Sequence, residues 1–240
     1  MMNCCRIAAV VPVKESSKAK QRLAGVLSRT QRRRLALAML EDVLAALAST
    51  TGLASILVVT PDRAAADIAA RYGAQISDES ADDGHTAAVA AAAHRLATLG
   101  LHMLTVPADI PLVQSEDIAR LLAVHGDAVE RAARAFSIVP ARDECGSNAV
   151  ICSPAEAVPL RFGDNSFFPH VARAKACGIE PVVMRLPRIA LDIDAPDDLT
   201  LLLANGARTR THALLGRWRD CSELTMPCTT ARRRERRSSA

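Results

Sequence analysis

Aromatic side chains are scarce in this sequence, at 2% of 240 residues, although half of the residues are apolar. A core must therefore consist of alanine, valine, leucine and isoleucine, which suits helices packed on a β-branched sheet. No apolar run approaches the roughly 18 residues of a membrane span, so we expect no membrane partner. Residues 1–6 lack the features of a secretory signal, which favours a cytoplasmic location.

The seven cysteines contain no CxxC pair and no His/Cys spacing typical of a zinc site. An odd number of cysteines without an export signal indicates reduced thiols, again as in the cytoplasm. The sequence also lacks the GxxxxGK[ST] phosphate loop and the GxGxxG dinucleotide motif. Neither a P-loop ATPase nor a dinucleotide-dependent oxidoreductase is therefore indicated.

Positive charge is concentrated at the C-terminal end of the chain. Residues 206–240 contain nine arginines against three acids, a balance of +6, whereas the whole chain carries +4, which leaves −2 for residues 1–205. We predict a single domain over residues 1–205 and a basic, disordered tail over residues 206–240. The arginine-rich segment 232–237 has no interleaved aromatic residues, so we do not expect nucleic acid as a partner.

Apolar runs alternate with amphipathic segments along the first half of the chain. This alternation predicts an α/β domain with a mostly parallel central sheet and helices on both faces. Ser28 and Gln31 have the spacing of a capping box at a helix start. The predicted strands are residues 7–13, 55–60, 75–77, the run that ends at Pro107, 136–140, 148–152, 181–184 and 189–191. The predicted helices begin near Ser28, Pro61, Thr86, Ser115, Phe167 and Asp194, the last with Asp194 as its N-cap.

Asp109 lies between Pro107 and Pro111, directly after an apolar run that is typical of a buried strand. Ligands of parallel α/β sheets bind at the carboxyl ends of the strands. A carboxylate fixed there by a stiff turn can hold a divalent cation against phosphate oxygens. The alternative is an aspartate that only caps a turn.

Four cations follow the first strand within nine residues, at positions 14, 18, 20 and 22. At the carboxyl edge of a sheet such a cluster suits a polyanion such as a triphosphate. A solvated basic loop is the alternative explanation.

Six short motifs occur in one order along residues 6–205. They are Pro12-Val13-Lys14, Ala19-Lys20-Gln21-Arg22-Leu23, Ala108-Asp109-Ile110-Pro111-Leu112, Gly146-Ser147-Asn148, Arg161-Phe162-Gly163 with Ser166-Phe167 and His170, and Leu191-Asp192-Ile193-Asp194-Ala195-Pro196-Asp197-Asp198-Leu199. Together they resemble the phospholactate guanylyltransferase family of coenzyme F420 biosynthesis, a branch of the molybdenum-cofactor-guanylyltransferase-like nucleotidyltransferases.

The resemblance implies a single-domain, Rossmann-like nucleotide-diphospho-sugar-transferase (GT-A-like) fold and transfer of GMP from GTP. The acceptor would be the phosphate of 2-phospho-L-lactate, phosphoenolpyruvate or 3-phospho-D-glycerate, and pyrophosphate would leave. The attacking phosphate oxygen is already ionised, so catalysis would consist of positioning and charge neutralisation. Relatives of this kind also suggest a homodimer.

The resemblance further implies a role for each matching residue. Lys14, Lys20 and Arg22 would hold the outer phosphates of GTP and the leaving pyrophosphate. Asp109, with Asp192 or Asp194, would bind Mg²⁺. The remaining expected contacts are Pro12, Val13, Lys14, Gly84 and Thr86 for the nucleotide, and Ser147, Gly163 and Ser166 for the acceptor acid.

The chain departs from the family pattern at several positions. Gly84-His85-Thr86 stands where Gly-Leu-Asn is usual, and Ser147 stands where threonine is common. The first change falls at an expected nucleoside contact. The change at Ser147, together with Asp164-Asn165 where Pro-Gly is common, falls near the acceptor and could mean a different acid, with 3-phospho-D-glycerate as the candidate. Two alternatives stay open at this point. One is GTP- or CTP-dependent transfer to molybdopterin or to a sugar or alcohol phosphate; the other is a non-catalytic nucleotide- or RNA-binding protein.

Overall fold

The computed structural model describes residues 6–79, 81, 83–163 and 165–221. The strands are β1 (Ile7–Pro12), β2 (Leu53–Val59), β3 (Gln75–Ser77), β4 (His102–Thr105), β5 (Ala135–Pro140), β6 (Ser147–Ser153) and β7 (Val182–Val183). The helices are α1 (Arg29–Ser49), α2 (Arg63–Arg71), α3 (His85–Thr98), α4 (Ser115–Arg131), α5 (Phe167–Ala176), α6 (Pro187–Ala190), α7 (Pro196–Ala204) and α8 (Arg210–Asp220). Two short 3₁₀ turns, Ser16–Lys18 and Gln21–Leu23, connect β1 to α1.

The strands form one seven-stranded sheet in the order β3-β2-β1-β4-β6-β5-β7. The described pairs are parallel except for β6, which runs antiparallel to both β4 and β5. Because β6 is reversed, its first residue, Ser147, lies at the edge where the parallel strands end. The predicted mostly parallel sheet is therefore confirmed, and that edge collects residues from both ends of the chain.

The central strand β1 is buried along its whole length, and its side chains alternate between two hydrophobic clusters. Ala9 belongs to the cluster that contains Leu44 of α1, whereas Val10 belongs to the cluster that contains Ala92 of α3. Helices therefore cover both faces of the sheet, as the continuous apolar run predicted. The capping box of Ser28 and Gln31 at the start of α1 is also present.

The prediction of a strand at 189–191 is wrong, because Pro187–Ala190 forms the short helix α6. Three apolar residues are too few for their spacing to distinguish a strand from a buried helical turn. A proline in the first turn, here Pro187, favours a helix start. Ile189 of α6 is buried, so this apolar segment packs in the core as a helical turn and not as a strand.

Asp194 is not the N-cap of the helix that follows it. The position before α7 is occupied by Ala195, and Asp198 reaches back to accept hydrogen bonds from the backbone N–H groups of Asp194 (3.1 Å) and Ala195 (2.8 Å). The carboxylate of Asp194 is therefore free of a capping role.

The domain boundary predicted at residue 205 is wrong for the first part of the tail. Residues 210–220 form α8, in which Leu214, Leu215 and Trp218 are buried in a cluster shared with α1 and α7. Asp42 of α1 caps α8 by accepting hydrogen bonds from the N–H groups of Arg210 (2.8 Å) and Thr211 (2.9 Å). The rest of the predicted tail, residues 222–240, lies outside the described residues. No helix in the described part of the chain is both long and apolar enough to cross a membrane.

Candidate active site

Asp109 and the segment 192–194 meet at the carboxyl edge of the sheet. Asp109 follows β4 in a loop whose next residue, Ile110, is fully buried, so the backbone there is held by the core. The backbone N–H of Ile193 donates to the carbonyl of Asp109 at 3.0 Å. This bond joins two segments that are more than 80 positions apart in sequence and brings Asp109 and Asp194 to one site, as the motifs predicted.

The ammonium of Lys20 lies between these two acids. Its Nζ is 2.6 Å from Asp109 Oδ2 and 2.7 Å from Asp194 Oδ1, and the Lys20 side chain is only 8% exposed. Burial alone would lower the pKa of this ammonium, but the two carboxylates outweigh it and raise the pKa above its ordinary value. Lys20 is therefore a charged group that links the acids, a contact that the sequence did not predict.

The backbone of Lys20 explains how its side chain reaches this position. Lys20 has φ 53 and ψ 47, the left-handed conformation that non-glycine residues seldom adopt, between the two 3₁₀ turns. The preceding 3₁₀ turn is anchored to the start of α2, because the backbone N–H of Ser16 donates to Asp62 at 2.7 Å and Asp62 is the N-cap of α2. A strained residue at a site of this kind is held by its surroundings.

Asp192 lies in the electrostatic range of the other two acids but has a separate partner. Its Oδ1 accepts a hydrogen bond from Asn148 Nδ2 at 3.0 Å. Burial raises the pKa of Asp192, and the charges of Asp109 and Asp194 raise it further, against the lowering effect of Asn148. Asp194 is therefore the acid that pairs directly with Asp109 across Lys20.

The donor set is suited to a hard cation. Within the residues that the structure describes, no three His, Cys, Asp or Glu side chains converge closely enough to form a metal cluster. The two acids nevertheless face one positive charge, the Lys20 ammonium, and carboxylate oxygens are the ligands that divalent hard cations prefer. Asp109 and Asp194 therefore fit a divalent cation that would take the place of the ammonium.

A cavity of about 600 Å³ opens beside the acids. Seven residues that the sequence singled out line it, namely Pro12, Val13, Lys14, Lys20, Gly84, Asp109 and Asp194. Lys14 is exposed there, and Arg22 Nη1 lies 4.0 Å from Asp194 Oδ2 with a 69% exposed side chain. The volume is in the range of small-molecule sites, and the lining places cations beside carboxylates.

Ser147 and Ser166, the predicted acceptor residues, meet at a neighbouring position. Ser166 Oγ donates to Ser147 Oγ at 3.1 Å, and Ser166 makes no side-chain cap for α5. His170 Nδ1 lies 2.9 Å from Ser147 Oγ. Gly163 has φ 140, which side chains rarely adopt, and a Cβ there would meet open space. The two serines are therefore hydrogen-bonded directly to each other, and the buried His170 contacts Ser147.

Thr86 makes a contact different from the predicted nucleotide contact. Its Oγ1 accepts a hydrogen bond from the backbone N–H of Phe162 at 3.0 Å and donates to the Phe162 carbonyl at 3.3 Å. The hydroxyl thus holds the loop that contains Gly163 against the start of α3. This is the only side-chain hydrogen bonding that the described structure gives for Thr86, so we do not assign its hydroxyl to the nucleotide.

His85 is a cavity residue that the sequence did not single out. It lines the cavity, and its ring packs on Phe162 with centroids 4.5 Å apart. Burial lowers the pKa of His85 to about 4 and Lys14 lowers it further, while Asp109 opposes the shift. Phe162 in turn meets the ring of His170 at 5.1 Å. The rings of His85 and Phe162 connect the cavity to His170, which contacts Ser147. In the sequence, the only signal for His85 was its departure from the family pattern.

Sequence comparison places these residues in a known family. Residues 7–234 match the family described as "Guanylyl transferase CofC like". A phosphoenolpyruvate guanylyltransferase from Roseiflexus castenholzii is 38% identical over 206 residues, which cover 86% of this chain and 92% of that protein. A 3-phospho-D-glycerate guanylyltransferase from Colwellia psychrerythraea is 35% identical over 193 residues, covering 80% and 89%.

Solved structures support the same fold. A nucleotide-diphospho-sugar transferase from Desulfovibrio desulfuricans has a TM-score of 0.71 at 20% identity and covers 89% of this chain and 95% of that one. A cytidylyltransferase from Leptospira borgpetersenii has a TM-score of 0.56 at 14% identity, covering 93% and 97%. The predicted nucleotide-diphospho-sugar-transferase fold is confirmed. With its family match spanning nearly the whole described structure, the chain belongs to the CofC-like guanylyl transferases and is a nucleotidyltransferase.

Proposed function

We propose that this protein transfers the guanylyl group of GTP to the phosphate of a small phosphorylated acid, releases pyrophosphate, and serves the biosynthesis of coenzyme F420. The candidate acids are phosphoenolpyruvate, 3-phospho-D-glycerate and 2-phospho-L-lactate. Family membership supports the reaction, and relatives named for two of these acids support the acceptor class.

One observation carries the proposal. Two carboxylates from distant parts of the chain, Asp109 and Asp194, both pair with the Lys20 ammonium at the rim of a nucleotide-sized cavity. The serine pair of Ser147 and Ser166 is connected to that cavity through the rings of His85, Phe162 and His170. This arrangement provides one region for a triphosphate and an adjoining region for a second anion.

The chemistry asks the protein to align two phosphates rather than to remove a proton. The attacking oxygen of a phosphate monoester is ionised at neutral pH, so no general base is required. Lys14 and Arg22 can draw charge away from the leaving pyrophosphate, and Lys20 can join them when its ammonium leaves the acids. Ser147 and Ser166 would hold the acid so that its phosphate faces the α-phosphate of GTP.

We further propose Mg²⁺ as the cation held by Asp109 and Asp194, with Asp192 as an additional ligand. The chemistry supplied by Mg²⁺ at such a site is the neutralisation of repulsion between two anionic reactants. The fit rests on the carboxylates that already face a positive charge.

The test is a coupled assay with GTP, MgCl₂ and each acid in turn. We expect pyrophosphate release together with a product whose mass is the acid plus GMP. The acid with the highest kcat/KM identifies the acceptor, and CTP in place of GTP tests the choice of base. Absence of pyrophosphate with every acid would refute the proposal.

A homodimer and a cytoplasmic location remain predictions of the same proposal. Light scattering on the purified chain measures the first. Fractionation of the source cells measures the second.

A further inference from the structure

His170 contacts two polar groups beside the cavity, the backbone N–H of Arg161 and the hydroxyl of Ser147. It lies in the first turn of α5, and it is fully buried. Its Nε2 accepts a hydrogen bond from the backbone N–H of Arg161 at 2.9 Å, and its Nδ1 lies 2.9 Å from Ser147 Oγ. Ser166 Oγ donates to the same Ser147 oxygen at 3.1 Å.

The direction of these hydrogen bonds follows from the groups involved. A backbone N–H can only donate, so Nε2 of His170 carries no proton. Burial lowers the pKa of His170 to about 4, and the charge of Arg173 lowers it further, so the ring is neutral near pH 7. A neutral imidazole with an unprotonated Nε2 has its hydrogen on Nδ1 and donates it to Ser147 Oγ.

Ser147 is consequently limited to one kind of further contact. Its Oγ receives hydrogen bonds from His170 and Ser166, which occupy both lone pairs of a hydroxyl oxygen. The hydrogen of the Ser147 hydroxyl remains, and it can only be donated. A ligand that meets Ser147 must therefore supply an acceptor oxygen.

We propose that His170 is a positioning residue that makes Ser147 an obligate hydrogen-bond donor to an anionic oxygen of the acceptor acid. The oxygen belongs to the carboxylate or to the phosphate of that acid. This inference rests on the proposed function and adds to it a residue that never touches the substrate yet sets the polarity of the acceptor site.

A purely structural histidine would behave differently. If His170 only filled the core and tied down Arg161, its replacement would damage the fold, kcat and both substrates alike. A positioning residue instead acts through Ser147, so its loss raises the KM of the acid, leaves the KM of GTP unchanged, and has no further effect once Ser147 is absent.

The experiment measures KM for the acid and for GTP in His170→Phe and His170→Asn, neither of which can bridge both partners. We expect the KM of the acid to rise about tenfold, the loss of roughly one well-placed hydrogen bond, with the KM of GTP within about twofold. His170→Gln can accept from Arg161 and donate to Ser147, so it should recover most of the affinity. His94→Phe, at a histidine with a 74% exposed side chain on α3, is the matched control and should change neither constant.

A double-mutant cycle gives the decisive comparison. Ser147→Ala combined with His170→Phe should be no weaker for the acid than Ser147→Ala alone, because the two residues act as one unit. Additive losses, or equal losses for GTP and the acid, overturn the inference. KM does not depend on the active fraction of a preparation, and the Asn variant serves if the Phe variant fails to fold.

Two further arms identify the oxygen and separate this inference from the proposed function. If His170→Phe weakens 3-phospho-D-glycerate but not glycerol 3-phosphate, the oxygen belongs to the carboxylate; if it weakens both, the oxygen belongs to the phosphate. If the native protein releases no pyrophosphate, the proposed function fails, and calorimetric binding of 3-phospho-D-glycerate then decides the inference. Equal binding by native protein and His170→Phe, or no binding by the native protein, overturns it.

Discussion

Replacement of Lys20 by methionine tests whether its ammonium and a divalent cation compete for the same acids. Methionine keeps an unbranched side chain of similar reach and removes only the charge and the hydrogen bonds to Asp109 and Asp194. We expect Lys20→Met to bind Mn²⁺, a spectroscopic substitute for Mg²⁺, more tightly than the native protein when no nucleotide is present. The native ammonium must leave before both carboxylates can bind a metal.

The size of the effect follows from the contacts that are lost. A hydrogen bond between charged groups contributes roughly 1.5–3 kcal/mol, and Lys20 makes two of them. The Asp109 and Asp194 side chains are 27% and 43% exposed, so water screens both pairs and the lower end applies. When metal displaces the Lys20 ammonium of the native protein, hydration of the ammonium offsets part of the lost energy. We therefore expect Lys20→Met to gain about tenfold in Mn²⁺ affinity, or about 1.4 kcal/mol.

Mn²⁺ titration followed by calorimetry measures the affinity, and thermal melting with and without MgCl₂ gives a second readout. Without metal, Lys20→Met should melt below the native protein because Asp109 and Asp194 then face each other without the ammonium between them. Added MgCl₂ should recover more of its melting temperature than in the native protein. Lys14→Met removes a cation from the same cavity without touching the acids, so its Mn²⁺ affinity should change little. An unchanged or weaker affinity in Lys20→Met would refute the competition.

Three further predictions concern Asp109, a buried histidine and helix α8. Asp109→Ala should abolish pyrophosphate release while melting stays cooperative; near-normal turnover would contradict its role. His125 is buried with a pKa lowered from 6.5 to about 4, so the unfolded chain takes up its proton first. The contribution of neutral His125 to the free energy of unfolding is therefore complete above pH 6.5. It declines towards pH 4 by about 1.4 kcal/mol per pH unit. Urea unfolding of His125→Gln should lose less stability between pH 7 and 5 than the native protein, and an equal loss would contradict the assignment. Asp42→Ala removes two backbone hydrogen bonds at the start of α8, where Thr209 remains the N-cap, and should lower the free energy of unfolding by about 2 kcal/mol, measured in urea, whereas no change would show that α8 docks without Asp42.

Most of the sheet could be predicted from the sequence, because a strand buried on both faces leaves a continuous apolar run. The meeting of Asp109 with the segment 192–194 was expected only from the family resemblance, because the strand predicted just before that segment is the helix α6. The partner of Lys20 could not be predicted, because it depends on one left-handed residue between two short turns. A lysine in that loop could equally have faced solvent.

Helix α8 was not predicted, because the arginines of this segment indicated a disordered tail and the helical spacing of its apolar residues was given less weight. Thr211, Leu214, Leu215 and Trp218 have helical spacing and are buried, but four arginines lie in or beside the same stretch. Thr209 is its local N-cap, but its second capping group, Asp42, lies 168 positions from Arg210 along the chain, so no local signal could reveal that contact. Long-range caps of this kind become visible only once the helices are packed.

The docking of α8 also bears on the active site of a chain that is shortened before this helix. Leu199 of α7 packs in the same cluster as Leu215 and Trp218, and α7 begins two residues after Asp194. Asp198, in the first turn of α7, holds the backbone of Asp194. Removal of α8 would therefore loosen the helix that positions one of the two acids, so loss of activity should accompany loss of stability. A chain that ends after residue 221 keeps every one of these contacts.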